Sequence, residues 1–324
     1  MGQDKPVVVA IGQSWNDLKI EEKVLAEAGA DLIDGRDLPA DDPVWAKVSG
    51  ILLGTATRLD AARLADLAKA GCKGVVRFGI GYDNVDAKAA TELGMTVAIV
   101  RNYCIDEVAE HAIACGLSLA RGLSHWDRNI RSGAWRAGKR PNMHRLSELC
   151  FGIVGFGLIG RTAAHKARAL FGRVLVYDPA VGLSDEDRAS GLESAASLED
   201  LLEQVDFVSV HLPLIPATRN LIDAAGMAHM KPTAYVINVS RGGIVDETAL
   251  LDAVRNETLA GAALDTFSKE PLPADHPLIG EPRILLSPHV AWLSNEAEAD
   301  LRRLASQEMA LILRGEAPTT PVTA

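Results

Sequence analysis

The sequence predicts an α/β protein of two domains, one of them a doubly wound parallel sheet built to bind a dinucleotide. Three observations carry this expectation. A turn Gly155-x-Gly157-x-x-Gly160 stands between the apolar run Phe151-Gly-Ile-Val and a stretch with helical character. A second apolar run, Val174-Leu-Val-Tyr, ends in Asp178, an acid 18 residues after Gly160. Short apolar runs alternate with amphipathic stretches along most of the 324 residues, a length that accommodates two cores.

Each part of the turn has a task in holding a dinucleotide. Gly155 permits the tight turn, Gly157 lets a pyrophosphate approach the backbone, and Gly160 lets helix and strand pack closely. The helix behind them offers unpaired N–H groups and a positive dipole end to phosphates. Asp178 is placed to accept from a ribose 2′-hydroxyl and to repel a 2′-phosphate. The glycine spacing alone is a weak signal; set between two strands, with the acid at this distance, it is a specific one.

Composition excludes several classes. Apolar residues make up 48%, the formal net charge is −10 and the isoelectric point is near 5.3. The acidic balance disfavours a nucleic acid, which calls for a basic face. No apolar run approaches ~18 residues, so no membrane span is expected. The chain opens into a strand without a signal-peptide pattern, and Pro6 stands where a myristoylation signal wants Ser or Thr. Cys72, Cys104, Cys115 and Cys150 show neither Cys-x-x-Cys spacing nor a disulfide framework. No His, Cys and Asp cluster suggests a metal. These features point to a reduced cytoplasmic enzyme.

Residues 1–101 read as a first α/β unit, with strands at 6–11, 50–53, 74–78 and 96–99 and helices at 17–28, 60–69 and 86–93. An Ala-rich helix over 106–118, extended or followed by 124–132, marks the crossing into the second domain. Six strands are expected there, at 151–154, 174–177, 206–210, 234–239, 261–264 and 283–286. A final helix over 295–314 carries Leu301, Leu304, Ala305 and Leu311 on one track. Glu308 on the same track implies partial burial only, and a tail over 318–324 is expected to be loose.

Three segments at expected strand ends carry chemistry. In Asn238-Val-Ser-Arg241-Gly-Gly, an arginine before a glycine pair can fork onto a small carboxylate or carbonyl. The second segment is Ala263-Leu-Asp265-Thr-Phe-Ser-Lys-Glu270-Pro271. In Ser287-Pro-His289-Val-Ala-Trp292, a histidine just past a strand is an acid/base candidate. Ligands of an open parallel sheet bind at the carboxyl ends of its strands, which is where all three segments fall.

With these motifs, and with Arg77-Phe-Gly-Ile-Gly-Tyr-Asp-Asn-Val-Asp86 and His211-Leu-Pro-Leu, the sequence resembles the D-isomer-specific 2-hydroxyacid dehydrogenases nearly end to end. Trp292, three residues past the histidine, resembles the branch that holds the C-terminal binding protein corepressors and their bacterial relatives. The resemblance implies a Rossmann NAD-binding domain over 102–294. It implies a smaller flavodoxin-like substrate domain made of 1–101 with 295–324, and a homodimer formed through the 106–132 region with Trp126 and Trp135. It implies that His289 gives a proton to the carbonyl of a small 2-oxoacid as hydride arrives from the nicotinamide, with Glu270 as its partner. A carboxylate beside an imidazole favours the charged ring, which suits a general acid. Arg241 holds the substrate, aided by the backbone N–H groups of Ile80 and Gly81 and by Arg77, which serves equally well as a sheet-edge salt bridge. Trp292 shapes the substrate pocket. The implied NAD contacts are Gly155, Gly157, Leu158, Ile159, Gly160, Asp178, His211, Leu212, Pro213, Thr218, Val239, Ser240, Arg241, Asp265 and His289, with Asp265 on the carboxamide.

Glu270 argues against the formate oxidisers of the same fold, which carry Gln in its place, whereas a phosphite oxidiser keeps a similar triad. A corepressor-like NAD-gated binding protein is the rival reading, but it need not keep the acid, its carboxylate partner and a carboxylate clamp together. Val100 and Tyr103 suggest a medium, partly apolar substrate side chain. His111, His165 and His229 are read as ordinary helix residues, Cys104 as a packed thiol, and His125 and Trp126 as core or interface.

Overall fold

The computed structural model describes residues 5–135 and 142–322. They form two compact units: residues up to Cys104 with those from Ser294 on, and Ile105–Leu293. The first unit begins with β1 (Val7–Ile11), α1 (Lys19–Glu27), β2 (Asp31–Asp34), β3 (Val48–Leu53), α2 (Ala61–Lys69), β4 (Gly74–Arg77), α3 (Ala87–Glu92) and β5 (Thr96–Ala98). Its sheet is parallel throughout, in the order β2-β1-β3-β4-β5, the flavodoxin-like 2-1-3-4-5. β3 and β4 are almost wholly buried because helices cover both faces of the sheet. Leu64 and Leu67 of α2 join Ile51, Leu53 and Val75 in one core, each such side chain contributing about 1.5–3 kcal/mol. Asp60 and Asp86 start their helices by accepting from Arg63 N–H and Ala89 N–H at 2.9 and 3.0 Å. β2, an edge strand, was not among the expected elements.

The second unit holds α4 (Ile105–Arg121), α5 (Leu123–Arg131), β6 (Cys150–Val154), α6 (Leu158–Arg168), β7 (Arg173–Tyr177), α7 (Asp185–Ala189), β8 (Leu192–Ser194), α8 (Leu198–Gln204), β9 (Phe207–Val210), α9 (Ala224–Ala228), β10 (Tyr235–Asn238), α10 (Glu247–Arg255), β11 (Gly261–Leu264) and β12 (Ile284–Leu286). The sheet has seven strands rather than the expected six, because β8 adds a three-residue edge. Its order, β12-β11-β10-β9-β6-β7-β8, is the doubly wound 3-2-1-4-5-6 extended by one strand, and every pairing is parallel. The order reverses between β6 and β9, which opens the ligand crevice at their carboxyl ends. Phe151, Phe171, Phe207 and Tyr235 form a chain of rings with centroids 4.8–6.0 Å apart, Phe207 stacking on Phe151 and Tyr235. Gly122, in the left-handed region at φ 59°, breaks the Ala-rich stretch into α4 and α5.

The chain returns to the first unit through α11 (Asn295–Arg314), which Ser294 caps. Two expectations fail here. α11 is deeply rather than partly buried, with Leu301, Ala305, Met309 and Ile312 inside. Glu308 is buried too, because its carboxylate accepts from Thr319 N–H at 2.8 Å and from the Thr319 hydroxyl. The tail through Val322 is accordingly tied down: Pro321 bridges Ala98, and Val322 N–H donates to Val97 O at 2.9 Å. Residues 323–324 of the tail expected to be loose lie outside the described residues. Arg302 joins α11 to α1 through a two-pronged pair with buried Glu21, at 2.8 Å on both arms.

Candidate active site

In the second unit the polar residues singled out from the sequence stand at or just past the carboxyl ends of consecutive strands. After β6 comes the glycine turn. Gly155 has φ 97°, and a side chain there would drive its Cβ to 2.6 Å from His211 O. A Cβ on Gly160 would meet Gly155 O at 2.0 Å. Among the described residues a Cβ on Gly157 would meet nothing within 4 Å beyond its own chain neighbours, and no side chain caps the start of α6 beside it. That uncapped helix start and the room at Gly157 suit a phosphate. Leu158 is exposed and Ile159 half-buried on the first turn of α6.

Asp178 follows β7 and turns onto this loop. Its Oδ2 accepts from Phe156 N–H at 2.7 Å, and its Oδ1 accepts from Ala180 and Val181 N–H at 2.8 and 3.0 Å. The acid is thus held beside the glycine turn. Past β9, His211 donates its backbone N–H to Val154 O at 2.8 Å, and its Nε2 lies 2.9 Å from Ser209 Oγ. Its Nδ1 is buried with no partner among the described residues, and burial pushes the ring down to about 4. This orphaned nitrogen beside the turn, with the cradle above Gly157, fits a dinucleotide. Leu212 is half-buried and Pro213 exposed, while the Thr218 hydroxyl is spent on its own loop, donating to Pro213 O at 2.6 Å.

Past β10, buried Asn238 shapes the arginine loop. Its Nδ2 donates to Arg241 O at 2.9 Å and its Oδ1 accepts from Ser240 N–H at 3.1 Å. The Ser240 hydroxyl reaches back to Val210 O at 2.8 Å, next to buried Val239. Arg241 Nη1 donates to Ser240 O at 2.7 Å. Only glycine fits at 242, where a Cβ would lie 1.9 Å from the backbone carbon of Phe267. The arginine loop therefore packs on the segment that leads to Glu270.

Glu270 and His289 complete the group. His289 Nδ1 lies 2.7 Å from Glu270 Oε2, while Glu270 Oε1 accepts from Phe267 N–H at 2.9 Å. Burial pushes the Glu270 carboxyl up, but the hydrogen bonds from His289 and Phe267 and the nearby charges of His289 and Arg241 outweigh it and hold the group below its usual range. His289 has φ 56°, a left-handed conformation uncommon for a residue with a side chain. Asp265, at the end of β11, holds it there. Asp265 O accepts from His289 N–H at 2.8 Å, and its carboxylate accepts from Val290 N–H at 3.0 Å and Ala291 N–H at 2.8 Å. Trp292 Nε1 donates to His289 O at 3.1 Å.

Arg77, Ile80 and Gly81 belong to the first unit, at the end of β4 and in the loop after it. Arg77 Nη1 donates to Phe78 O at 2.6 Å, and Ile80 is 37% exposed. His165 and His229 pair with Asp187 and Glu203 at 3.1 and 3.3 Å. Cys104 is buried, and the other thiols are inert: burial pushes Cys72 and Cys150 up to about 11, and burial with the charge of Asp265 pushes Cys115 up to about 12.

His111 lies in α4 as expected, and it also makes a contact that was not among those expected. Its Nε2 lies 3.1 Å from Ser287 Oγ, which in turn donates to Asp265 Oδ1 at 2.6 Å. The available signal was its register: His111 falls three residues after Val108 and four before Cys115 on the buried side of α4, where a polar ring requires a partner.

A family model described as D-isomer specific 2-hydroxyacid dehydrogenase, NAD binding domain, matches residues 113–291. The chain is 36% identical over 247 residues to a glyoxylate reductase of Korarchaeum cryptofilum, covering 75% of this chain and 74% of that one. It is 35% identical over 284 residues, 88% of its length, to a D-3-phosphoglycerate dehydrogenase of Mycobacterium leprae, of which it spans 53%. A solved D-2-hydroxyisocaproate dehydrogenase superposes with a TM-score of 0.85 at 27% identity, covering 98% of this chain and 100% of that one.

Proposed function

The chain belongs to the D-isomer-specific 2-hydroxyacid dehydrogenase family, and on that premise we propose that it reduces a small 2-oxoacid to a D-2-hydroxyacid with His289 as the proton donor. It is an NAD-dependent enzyme of that family. What carries the finer reading is the 2.7 Å contact between His289 and an ionised Glu270 beside the Arg241 loop. A carboxylate accepts only, so Nδ1 carries the proton of that bond and Nε2 remains for substrate.

Bound as NADH, the cofactor supplies the hydride. The chain's own residues do the rest. The glycine turn with Leu158 and Ile159, Asp178, the His211–Pro213 segment with Thr218, and Val239, Ser240 and Asp265 hold the dinucleotide. Arg241 forks onto the carboxylate and carbonyl of the substrate and stabilises the developing oxyanion. His289 Nε2 gives its proton to that oxygen, and Glu270 stabilises the imidazolium that precedes transfer. In the reverse direction the neutral ring takes the proton back. Arg77 and the N–H groups of Ile80 and Gly81 are proposed to bind the substrate carboxylate, and Trp292 to set its side-chain preference.

The test is steady NADH oxidation with glyoxylate and a panel of longer 2-oxoacids. Turnover that His289→Asn abolishes supports the reading; tight NADH binding with silence across the panel would favour a cofactor-gated binding protein instead. Exposed Leu123, Ile130 and Trp135, on and after α5, support a homodimer. A monomer by light scattering at micromolar concentration would contradict it. Four buried cysteines outside any disulfide suit the cytoplasm, the proposed location.

A further inference from the structure

We propose that His111 is a positioning residue that acts on the His289 loop through Ser287 and Asp265. The inference rests on the reading of His289 as proton donor and deepens it. The Asp265 carboxylate is buried and accepts from two backbone N–H groups, Val290 on Oδ1 and Ala291 on Oδ2. Ionised, it has no proton to give. Ser287 Oγ lies 2.6 Å from Oδ1 and so spends its single proton there. The 3.1 Å contact between Ser287 Oγ and His111 Nε2 can then be satisfied only if the ring donates, so His111 carries its proton on Nε2.

The relay reaches the acid through the backbone. Val290 and Ala291 follow His289 directly, and the strained φ of 56° at His289 is held by what surrounds it. Asp265 supplies three of those restraints, two through its carboxylate and one through its carbonyl. If His111 Nε2 carried a lone pair, the Ser287 hydroxyl would turn toward it and desert Asp265. The donating ring removes that alternative and keeps the hydroxyl on the carboxylate. The carboxylate lies just past β11, the hydroxyl just past β12 and the ring on α4, so the relay also fixes α4 to the ends of two strands.

Three measurements test this. The first is ¹⁵N NMR of wild-type protein labelled in histidine, which reads the His111 tautomer without turnover. A proton on Nε2 that shifts or exchanges faster in Ser287→Ala is expected; a proton on Nδ1 alone would overturn the relay. The second is a cycle of His111→Leu, Ser287→Ala and the double variant. Each single change should lower kcat for oxoacid reduction about three- to tenfold, the effect of one hydrogen bond, and the double should be no worse than Ser287→Ala. Additive losses, or an unchanged His111→Leu, would sink the proposal. The third is His111→Gln, whose amide can still donate and should recover most of the kcat lost in His111→Leu; equal loss in both means the ring only fills space. Wild type silent on every oxoacid, or His289→Asn fully active, would instead defeat the proton-donor reading. The tautomer measurement would still decide the hydrogen-bond relay.

Discussion

His289 Nδ1 and Glu270 Oε2 stand 2.7 Å apart, and the two loops that bring them together are separately anchored, one by Asp265 and the other by Phe267 N–H. Against the push of burial, Glu270 is held below its usual range by the hydrogen bonds from His289 and Phe267, which favours its ionised form. On the proposed mechanism reduction uses the charged ring; kcat/KM should therefore fall as pH rises and His289 loses its proton. Oxidation needs the neutral ring and should rise over the same window. Glu270→Gln removes the charge and keeps a hydrogen-bonding shape, so the reductive limb should fall at lower pH. His289→Asn should remove the dependence and slow the reaction by roughly 10²–10⁴-fold. A Glu270→Gln profile that coincides with wild type would break the pairing.

Asp178 should select NADH over NADPH. Its carboxylate accepts from Phe156 N–H at 2.7 Å, which fixes it against the glycine turn, and on the proposed cofactor placement it would repel a 2′-phosphate. Comparison of kcat/KM for the two cofactors, in wild type and in Asp178→Ala, checks this. The variant should lose activity with NADH and narrow the gap to NADPH; wild type preferring NADPH would refute the assignment.

What the sequence made legible was local. The glycine spacing, the acid behind β7 and the polar residues past each strand are read within windows of a few residues, because a parallel sheet puts its ligand at strand ends. What it hid was either short or distant. β2 and β8 are edge strands of four and three residues, too short for a pattern to emerge. The His111–Ser287 contact spans 176 positions and the Thr320–Ile99 contact 221, and no periodicity reports such pairs. Glu308 follows the same rule: a carboxylate on an apolar track reads as exposure, and the Thr319 that buries it lies eleven positions on.

The Arg302–Glu21 pair should dominate the attachment of α11 to α1. Glu21 is fully buried and Arg302 is 5% exposed, with both guanidinium arms at 2.8 Å and a further donor to Asp17 O at 2.7 Å. Removal of one partner strands the other charge, so Arg302→Met should cost about 3–5 kcal/mol. Removal of both, in Glu21→Leu with Arg302→Met, should cost much less, since an apolar pair of similar volume carries no desolvation penalty. Chemical unfolding of the single and double variants measures this. A double variant as unstable as the sum of the singles would show that the pair contributes by packing alone.

His211 should give the protein a loss of stability at mildly acid pH. Burial pushes its ring from an ordinary 6.5 down to about 4, with one nitrogen left without a partner among the described residues. The sign follows from proton uptake. Between about 6.5 and 4 the unfolded chain binds a proton at this ring and the folded chain does not, so stability falls as pH drops through that window and levels off below it. The full effect is about 3 kcal/mol, at 1.36 kcal/mol for each pH unit of the shift. Asp187, Glu193, Glu270 and Glu281 are depressed carboxylates; their contributions stay intact until pH falls below their ordinary 3.8–4.5. The upper part of the window therefore belongs to the histidine. Urea midpoints for wild type and His211→Gln, taken from pH 7 to pH 5, should converge as pH falls, because only wild type has this proton to refuse. Parallel curves across the window would mean that the ring is protonated in the folded state and that solvent or a neighbour reaches Nδ1.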